Sequence, residues 1–272
     1  MPKLDLQAGV LHELHSGELW GAVRPLGHHH GLILFGHGGA PVTYPGRCTM
    51  NLEHYCETGR CGIFTPRDDV QQSYKVGDDW LTVEFKPAED WKVRSLLSYQ
   101  VRDEGTIDVS LTFDFLADYP SFEAFIASYF HGRRLPFVHA GGRWLRPVIK
   151  DGEQLFFARD DDAAAMVTDG RWQWLGERGT LFATLDERRC DLPLTVHLDD
   201  ASGWALVQMV TEAMCPAVSV NTFAYAQDFS IVGQNVTMGQ EVRVKARLLY
   251  RRISELDDLL EDYRRFEEEH AH

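Results

Sequence analysis

The sequence predicts an all-β chain, a large antiparallel sandwich finished by one C-terminal amphipathic helix. Three observations predict it. Short runs rich in β-branched and aromatic residues recur along the chain, separated by Gly, Asp and Pro at roughly 8–12-residue spacing, as in sandwiches and barrels. Several of these runs alternate between apolar and polar residues, the pattern of a strand with one buried face. Strands do not alternate with helical patterns, which argues against a parallel, nucleotide-binding sheet.

Taken in order, the clearest runs are LTVEF (81–85), KVRSLLSYQV (92–101), TIDVSLTFDFL (106–116) and QLFFAR (154–159). They continue with RWQWL (171–175), GTLFATL (179–185), LPLTVHL (192–198), GWALVQMV (203–210), VSVNTFAY (218–225) and EVRVKARLLYRR (241–252). In the third run Ile107, Val109, Leu111, Phe113 and Phe115 oppose Asp108, Ser110, Thr112 and Asp114. The stretch FEAFIASYFH (122–131) fits two periods. As a helix it gathers Phe122, Phe125, Ile126, Tyr129 and Phe130; as a strand it sets Glu123, Phe125, Ala127, Tyr129 and His131 on one face. Its β-rich surroundings favour the strand. HAGGRWLRP and ARDDDAAAM read as loops inside one fold, so residues 1–272 are taken as a single domain. The terminal segment SELDDLLEDYRRFEEEHAH carries an apolar stripe of Leu256, Leu259, Leu260, Tyr263 and Phe266, predicting a helix over 254–268 with Ser254 as cap. Packing across its own sheet is its expected role, and pairing in a homodimer is the alternative.

Composition narrows the partners. A formal net charge of −14 argues against nucleic acid or an anionic membrane, both of which need a basic footprint. No run approaches the ~18 apolar residues of a membrane helix, and the first residues lack the pattern of a secretory signal. Cysteines 48, 56, 61, 190 and 215 show no CxxC spacing, which reads as reduced structural thiols in a cytoplasmic protein, with a Cys56–Cys61 bridge as the lesser reading.

Four segments carry chemistry-bearing side chains. In GHHHGLILFGHGG (27–39), read as a strand, His28 and His30 share a face and could hold a metal if His37 or His54 approached; an exposed or hydrogen-bonded cluster is the plainer reading. RCTMNLEHYCETGRCGIFTPRD (47–68) reads as a long irregular loop draped over a sheet, with Arg47, Asn51, Glu53, His54 and Arg67 as donors and acceptors for a polyhydroxylated ligand. FEAFIASYFHGRRLPFVHA (122–140) offers Glu123, Tyr129, His131, Arg133, Arg134 and His139: a carboxylate and an imidazole for proton transfer, and arginines for a developing or resident anion. Against this stands a buried Glu–Arg ion pair with a packed Tyr. CPAVSVNTFAYAQDFSIVGQNVTMGQE (215–241) places Asn221, Gln227 and Asp228 near strand ends, where turn chemistry is their ordinary use. His197 reads as a packing residue. No nucleophile elbow, Walker loop or GxGxxG is present.

Three stretches resemble the galactose mutarotase-like superfamily of aldose 1-epimerases: WKVRSLLSYQVRDEGTIDVSLTFDF (91–115), FEAFIASYF, and the closing GQNVTMGQEVRVKARLLYRR (233–252). The resemblance implies a β-supersandwich and a small-molecule carbohydrate ligand, handled without a cofactor. The Asn-His-x-Tyr-Phe-Asn stretch of mutarotases is absent; in ASYFHG the histidine follows Tyr-Phe instead of preceding it. For the family's late catalytic glutamate, Glu212 and Asp228 are the acidic residues near strand ends. The expectation is therefore acid/base chemistry on a sugar or sugar acid. Glu123, or a late acidic residue, is the base and His131 or His139 the acid. Tyr129, Arg133, Arg134, His54, Arg67, Asn51 and Asp228 are the binding residues. A non-catalytic sugar-binding protein and a metal-dependent lyase or hydrolase through His28, His30 or His37 are the alternatives.

Overall fold

Alternation builds the molecule. The computed structural model describes residues 11–62, 64–68, 71–132, 134–173 and 182–270. In chain order, β1 (His12–Ser16), β2 (Leu19–Arg24) and β3 (Gly31–Phe35) form a three-stranded sheet. The hairpin β4 (Asn51–Glu57) and β5 (Arg60–Gly62) follows, turning through Thr58 and Gly59, where the φ of +68° suits a residue without Cβ. A meander of β6 (Gln72–Val76), β7 (Trp80–Phe85), β8 (Val93–Val101) and β9 (Thr106–Phe115) leads to β10 (Tyr119–Ala127). Then come β11 (Leu135–Ala140), β12 (Arg143–Leu145), β13 (Glu153–Ala158), helix α1 (Asp161–Thr168), β14 (Phe182–Leu185), β15 (Cys190–Asp199) and β16 (Trp204–Val210). The chain closes with β17 (Ala217–Asn221), β18 (Gln227–Val236), β19 (Glu241–Arg252) and helix α2 (Asp258–His270).

Two large sheets result, ordered β14-β13-β17-β18-β10-β4-β5 and β12-β11-β15-β16-β19-β9-β8-β7-β6. Pairing is antiparallel except for β13 with β14, which run parallel. The inner faces meet in one core, where Phe113 and Phe115 of β9 pack on Phe122 of β10, the closer pair with ring centres 4.8 Å apart. Each such fully buried side chain contributes about 1.5–3 kcal/mol, so this layer fixes how the sheets face each other. Helix α2 covers the outer face of the nine-stranded sheet, burying Leu259, Tyr263 and Phe266 against Leu194, Val196, Val207 and Met209.

The ambiguous stretch is a strand: β10 pairs with β18 and β4, in the middle of the seven-stranded sheet. Several expectations change. Residues 47–68 are not one irregular loop, because β4 is an interior strand with Asn51 to Cys56 buried. Residues 160–168 are not a loop: the Asp160 carboxylate accepts from Ala163 N–H at 2.8 Å and caps α1. Arg171 to Gln173 form a turn instead of a strand, and 174–181 lie outside the described residues. The terminal helix begins at Asp258, not Ser254, and the Asp258 carboxylate accepts from Ser254 and Glu255 N–H in the turn before it. Cys56 and Cys61, opposite each other in the β4–β5 hairpin, form a disulfide, while Cys48, Cys190 and Cys215 are free and buried. Among the described residues no helix is long and apolar enough to cross a membrane.

Candidate functional site

On its outer face the seven-stranded sheet carries a cavity of about 340 Å³, within the ~300–1,000 Å³ usual for ligand pockets. Its floor is made by five neighbouring strands: Gln154 from β13, Asn221 from β17, Asp228 from β18, Phe125 from β10, and Glu53 with His54 from β4. Tyr129 just beyond β10, Arg47, Phe64, Arg67, Trp172 and Phe223 make the walls.

A bulge sets the floor. Phe125 pairs with His54 and Ile126 with Leu52, so Glu53 is one extra residue in β4. Leu52 and Tyr55 point into the core between the sheets, whereas Glu53 and His54, adjacent in sequence, both line the cavity. A regular pleat would send one of them to the core.

Glu53 is buried and ion-paired with Arg67. The Tyr129 hydroxyl donates toward both of its oxygens, at 3.1 and 2.8 Å. Burial pushes the Glu53 carboxyl up, but Arg67 and the Tyr129 hydrogen bond help to outweigh it, and the group is held below the usual carboxylate range. Asp228 behaves oppositely. Its Oδ1 accepts from Ser128 N–H at 3.1 Å and its Oδ2 lies 3.1 Å from Gln154 Nε2. Among the described residues no cation pairs with it, and burial, reinforced by the charge of Glu53, drives its carboxyl far above the usual range. The floor therefore holds two carboxyl groups driven in opposite directions, Glu53 down and Asp228 up. His54 is neutral, pushed down to about 4 by burial against the pull of Glu53, and its Nδ1 accepts from Phe64 N–H at 2.9 Å. Gln154 and Asn221 are fixed by each other through a 2.7 Å amide–amide bond.

The structure brings Tyr129, His54, Arg67 and Asp228 together in this cavity with Arg47, Glu53 and Asn221, and places Glu123, His131, His139, Arg134 and Asn51 outside it. Glu123 lies on the same face of β10 but does not line the cavity; it is fully buried in a closed pair with Arg171 at 2.8 Å. That pair removes the ground for Glu123 as the base. The His131 side chain is outside the cavity, and its backbone N–H donates to Val42 O at 2.9 Å. His139 belongs to β11 in the opposite sheet, edge-on to Trp144 and 3.2 Å from Asp191. Neither is placed to act as the acid there. Arg134 is buried beside the nine-stranded sheet, with Nη1 3.3 Å from Trp204 O. Asn51 donates to Ala127 O at 2.8 Å within the sheet. Arg133 lies outside the described residues. Glu212 sits in a short 3₁₀ turn, its backbone bonded to Arg159 and Glu267.

The histidines of 27–39 do not share a strand face, because β3 begins only at Gly31. His28 meets Asp68, His37 meets Glu18, and buried His30 accepts from Leu52 N–H at 3.0 Å. Among the described residues no three His, Cys, Asp or Glu side chains converge as metal ligands. A wider hollow of about 420 Å³ lies between β1 and the β6–β8 edge, but none of the buried polar side chains lines it. Sequence reading missed Gln154, Phe64, Trp172 and Phe223 as cavity residues. Gln154 carried a faint signal, the one amide in the apolar run QLFFAR.

No family model matches the sequence, and no curated protein matches it either. Solved structures do match in fold. A candidate aldose 1-epimerase from Escherichia coli K12 superimposes with a TM-score of 0.54 at 10% identity, covering 90% of this chain and 99% of the other. A GalM/aldose epimerase homologue from C. elegans gives 0.53 at 9% identity, covering 91% and 100%. The ligand-free α-N-acetylgalactosaminidase from Bifidobacterium bifidum gives 0.56 at 11% identity, covering 95% of this chain but only 38% of that enzyme. The chain has the galactose mutarotase-like fold.

Proposed function

We propose that the protein is a carbohydrate-active enzyme that moves protons at the anomeric centre of a sugar, with Glu53 as base and Asp228 as acid. One observation carries the reading: two carboxyl groups in one cavity are pushed to opposite sides of the usual range, which is how environments divide acid from base. Ring opening needs both. A base takes the proton of the anomeric hydroxyl while an acid protonates the ring oxygen; the carbonyl forms as the ring C–O bond breaks, and closure on the other face reverses the roles. The Oε2 atom of Glu53 accepts from Tyr129 at 2.8 Å, and a carboxylate oxygen can accept a second hydrogen bond, here from a substrate hydroxyl. Gln154 and Asn221 offer amide groups to hydroxyls, while Phe125 and Trp172, with ring centres 5.0 Å apart, give an apolar wall for a sugar face. The fold shared with aldose epimerase homologues supports a sugar as ligand.

The test is anomer exchange, followed by NMR over a panel of aldoses and uronic acids. Glu53→Gln and Asp228→Asn are each expected to slow it about 10²-fold or more while sugar binding persists. Unchanged exchange in both variants refutes the assignment. Sugar binding by the unaltered protein without any exchange would identify a non-catalytic sugar-binding protein instead.

A further inference from the structure

Arg47 differs from the other cation of the cavity. Arg67 is neutralised by Glu53, whereas Arg47 has no carboxylate within ion-pair distance among the described residues. Its guanidinium lies 5.6 Å from the ring centre of Tyr129 and 5.1 Å from that of Phe223, an aromatic residue 51% exposed at the cavity rim. Aromatic contact of this kind orients a guanidinium by its faces and leaves the N–H groups on its edge available.

The surroundings of Arg47 are rich in donors and poor in acceptors. Among the described residues the one hydrogen-bond contact of its side chain is Nη1 with His29 Nε2 at 2.9 Å, while Arg67 Nη2 approaches His29 Nδ1 at 2.8 Å. A neutral imidazole has a single acceptor nitrogen, and a protonated one has none. At most one of the two guanidinium groups can therefore hydrogen-bond to His29, and the other faces an N–H. Arg67 has further acceptors in Glu53 and His28 O; the Arg47 side chain has no other among the described residues. Burial and the two arginines push His29 down to about 4, so the ring is neutral near pH 7. The cluster of Arg47, His29, Arg67 and Glu53 thus holds two cations and one carboxylate, in a chain whose overall charge is −14.

We infer that the ligand is an anionic sugar, whose carboxylate or phosphate docks on the edge of Arg47 beside His29 while its ring lies over the cavity floor. The inference rests on the sugar reading above. An oxyanion supplies the acceptors the cluster lacks, and charge-assisted bonds to guanidinium are the strong kind.

Calorimetric titration would compare three matched ligands, glucose, glucuronate and glucose 6-phosphate, with the galactose series beside them. Proteins are the unaltered chain, Arg47→Met and Arg47→Lys, each first shown to unfold cooperatively without ligand. One anionic member is expected to bind at least about tenfold more tightly than its neutral parent. Arg47→Met should lose about 10–100-fold in affinity for it and keep the neutral sugar, with Arg47→Lys in between. The preference should also shrink as salt rises. Whether uronate or phosphate leads identifies the anion. If neutral sugars bind as tightly as anionic ones, or if the preference survives in Arg47→Met, the inference fails and the sugar reading stands. If no sugar of either charge binds, both fail.

Discussion

The Arg171 guanidinium meets the Glu123 carboxylate at 2.8 Å with neither side chain reaching solvent. Arg171 also binds Asp169 at 2.8 Å and donates to Ser121 Oγ, so it ties the turn at 169–173 to β10. Removing one partner of a buried pair leaves the other charge uncompensated, at a cost of about 3–5 kcal/mol. Arg171→Leu should lose that much stability in urea unfolding. Glu123→Gln, once folded, should retain full sugar binding and turnover, and a fall in its turnover would return Glu123 to the site.

Tyr129→Phe removes the hydroxyl that donates to Glu53. That hydrogen bond lowers the Glu53 carboxyl, so its loss raises it. The acid limb of the pH–rate profile should move to higher pH, and stability should fall by about 1–3 kcal/mol because a buried acceptor loses its partner. Both are read from one variant, and a profile that does not move would separate Tyr129 from the proton chemistry.

Acid should weaken the fold through its buried and half-buried histidines. His30 is pushed down to about 3, and His29 and His54 to about 4, mainly by burial. The unfolded chain binds these protons near pH 6.5, so the stability is fully present above that value and is lost as pH falls toward 4 and below. Asp228 has the opposite sign, since its raised carboxyl favours the fold at low pH and weakens it above the unfolded value near 3.9. The stability of Asp228→Asn relative to the unaltered protein should therefore grow with pH, as urea unfolding between about pH 4.5 and 7 would measure.

Thiol counting tests the disulfide. The folded protein should react slowly at Cys48, Cys190 and Cys215, all buried. Unfolded without reductant it should show three thiols, and after reduction five. Five without reductant would return the pair to the reduced state.

Legibility followed the number of buried faces. Residues 106–115 announce a strand because one face is core and the other half-exposed. β4 gave no such signal, since it is buried on both faces and one of those faces lines a polar cavity. Its Glu53 and His54 looked like loop chemistry, and the bulge broke the alternation that would have corrected the reading. Helix α1 was hidden by its length of eight residues, although Asp160 was already a fit cap. Asp228 and Tyr129 were each noticed, but their neighbourhood depends on the β10–β18 register, in which Ile126 faces Phe229, and a single sequence does not state that register. His131 and His139 followed from proximity along the chain, which the turn into β11 undoes by carrying His139 to the other sheet.

The extra residue in β4 has a consequence for what chain length encodes. Without Glu53, the positions around it fall into plain order: Met50, Leu52 and Tyr55 to the core, Asn51, His54 and Cys56 to the other face. A protein lacking that single codon would regain an unbroken ladder but leave the buried Arg67 guanidinium and Tyr129 hydroxyl without their carboxylate, at a cost of about 3–5 kcal/mol. Under the proposed function it would also lack its base. Sheet regularity and a carboxylate in the cavity thus favour chains that differ by one residue, and the natural sequence has the length that keeps the carboxylate.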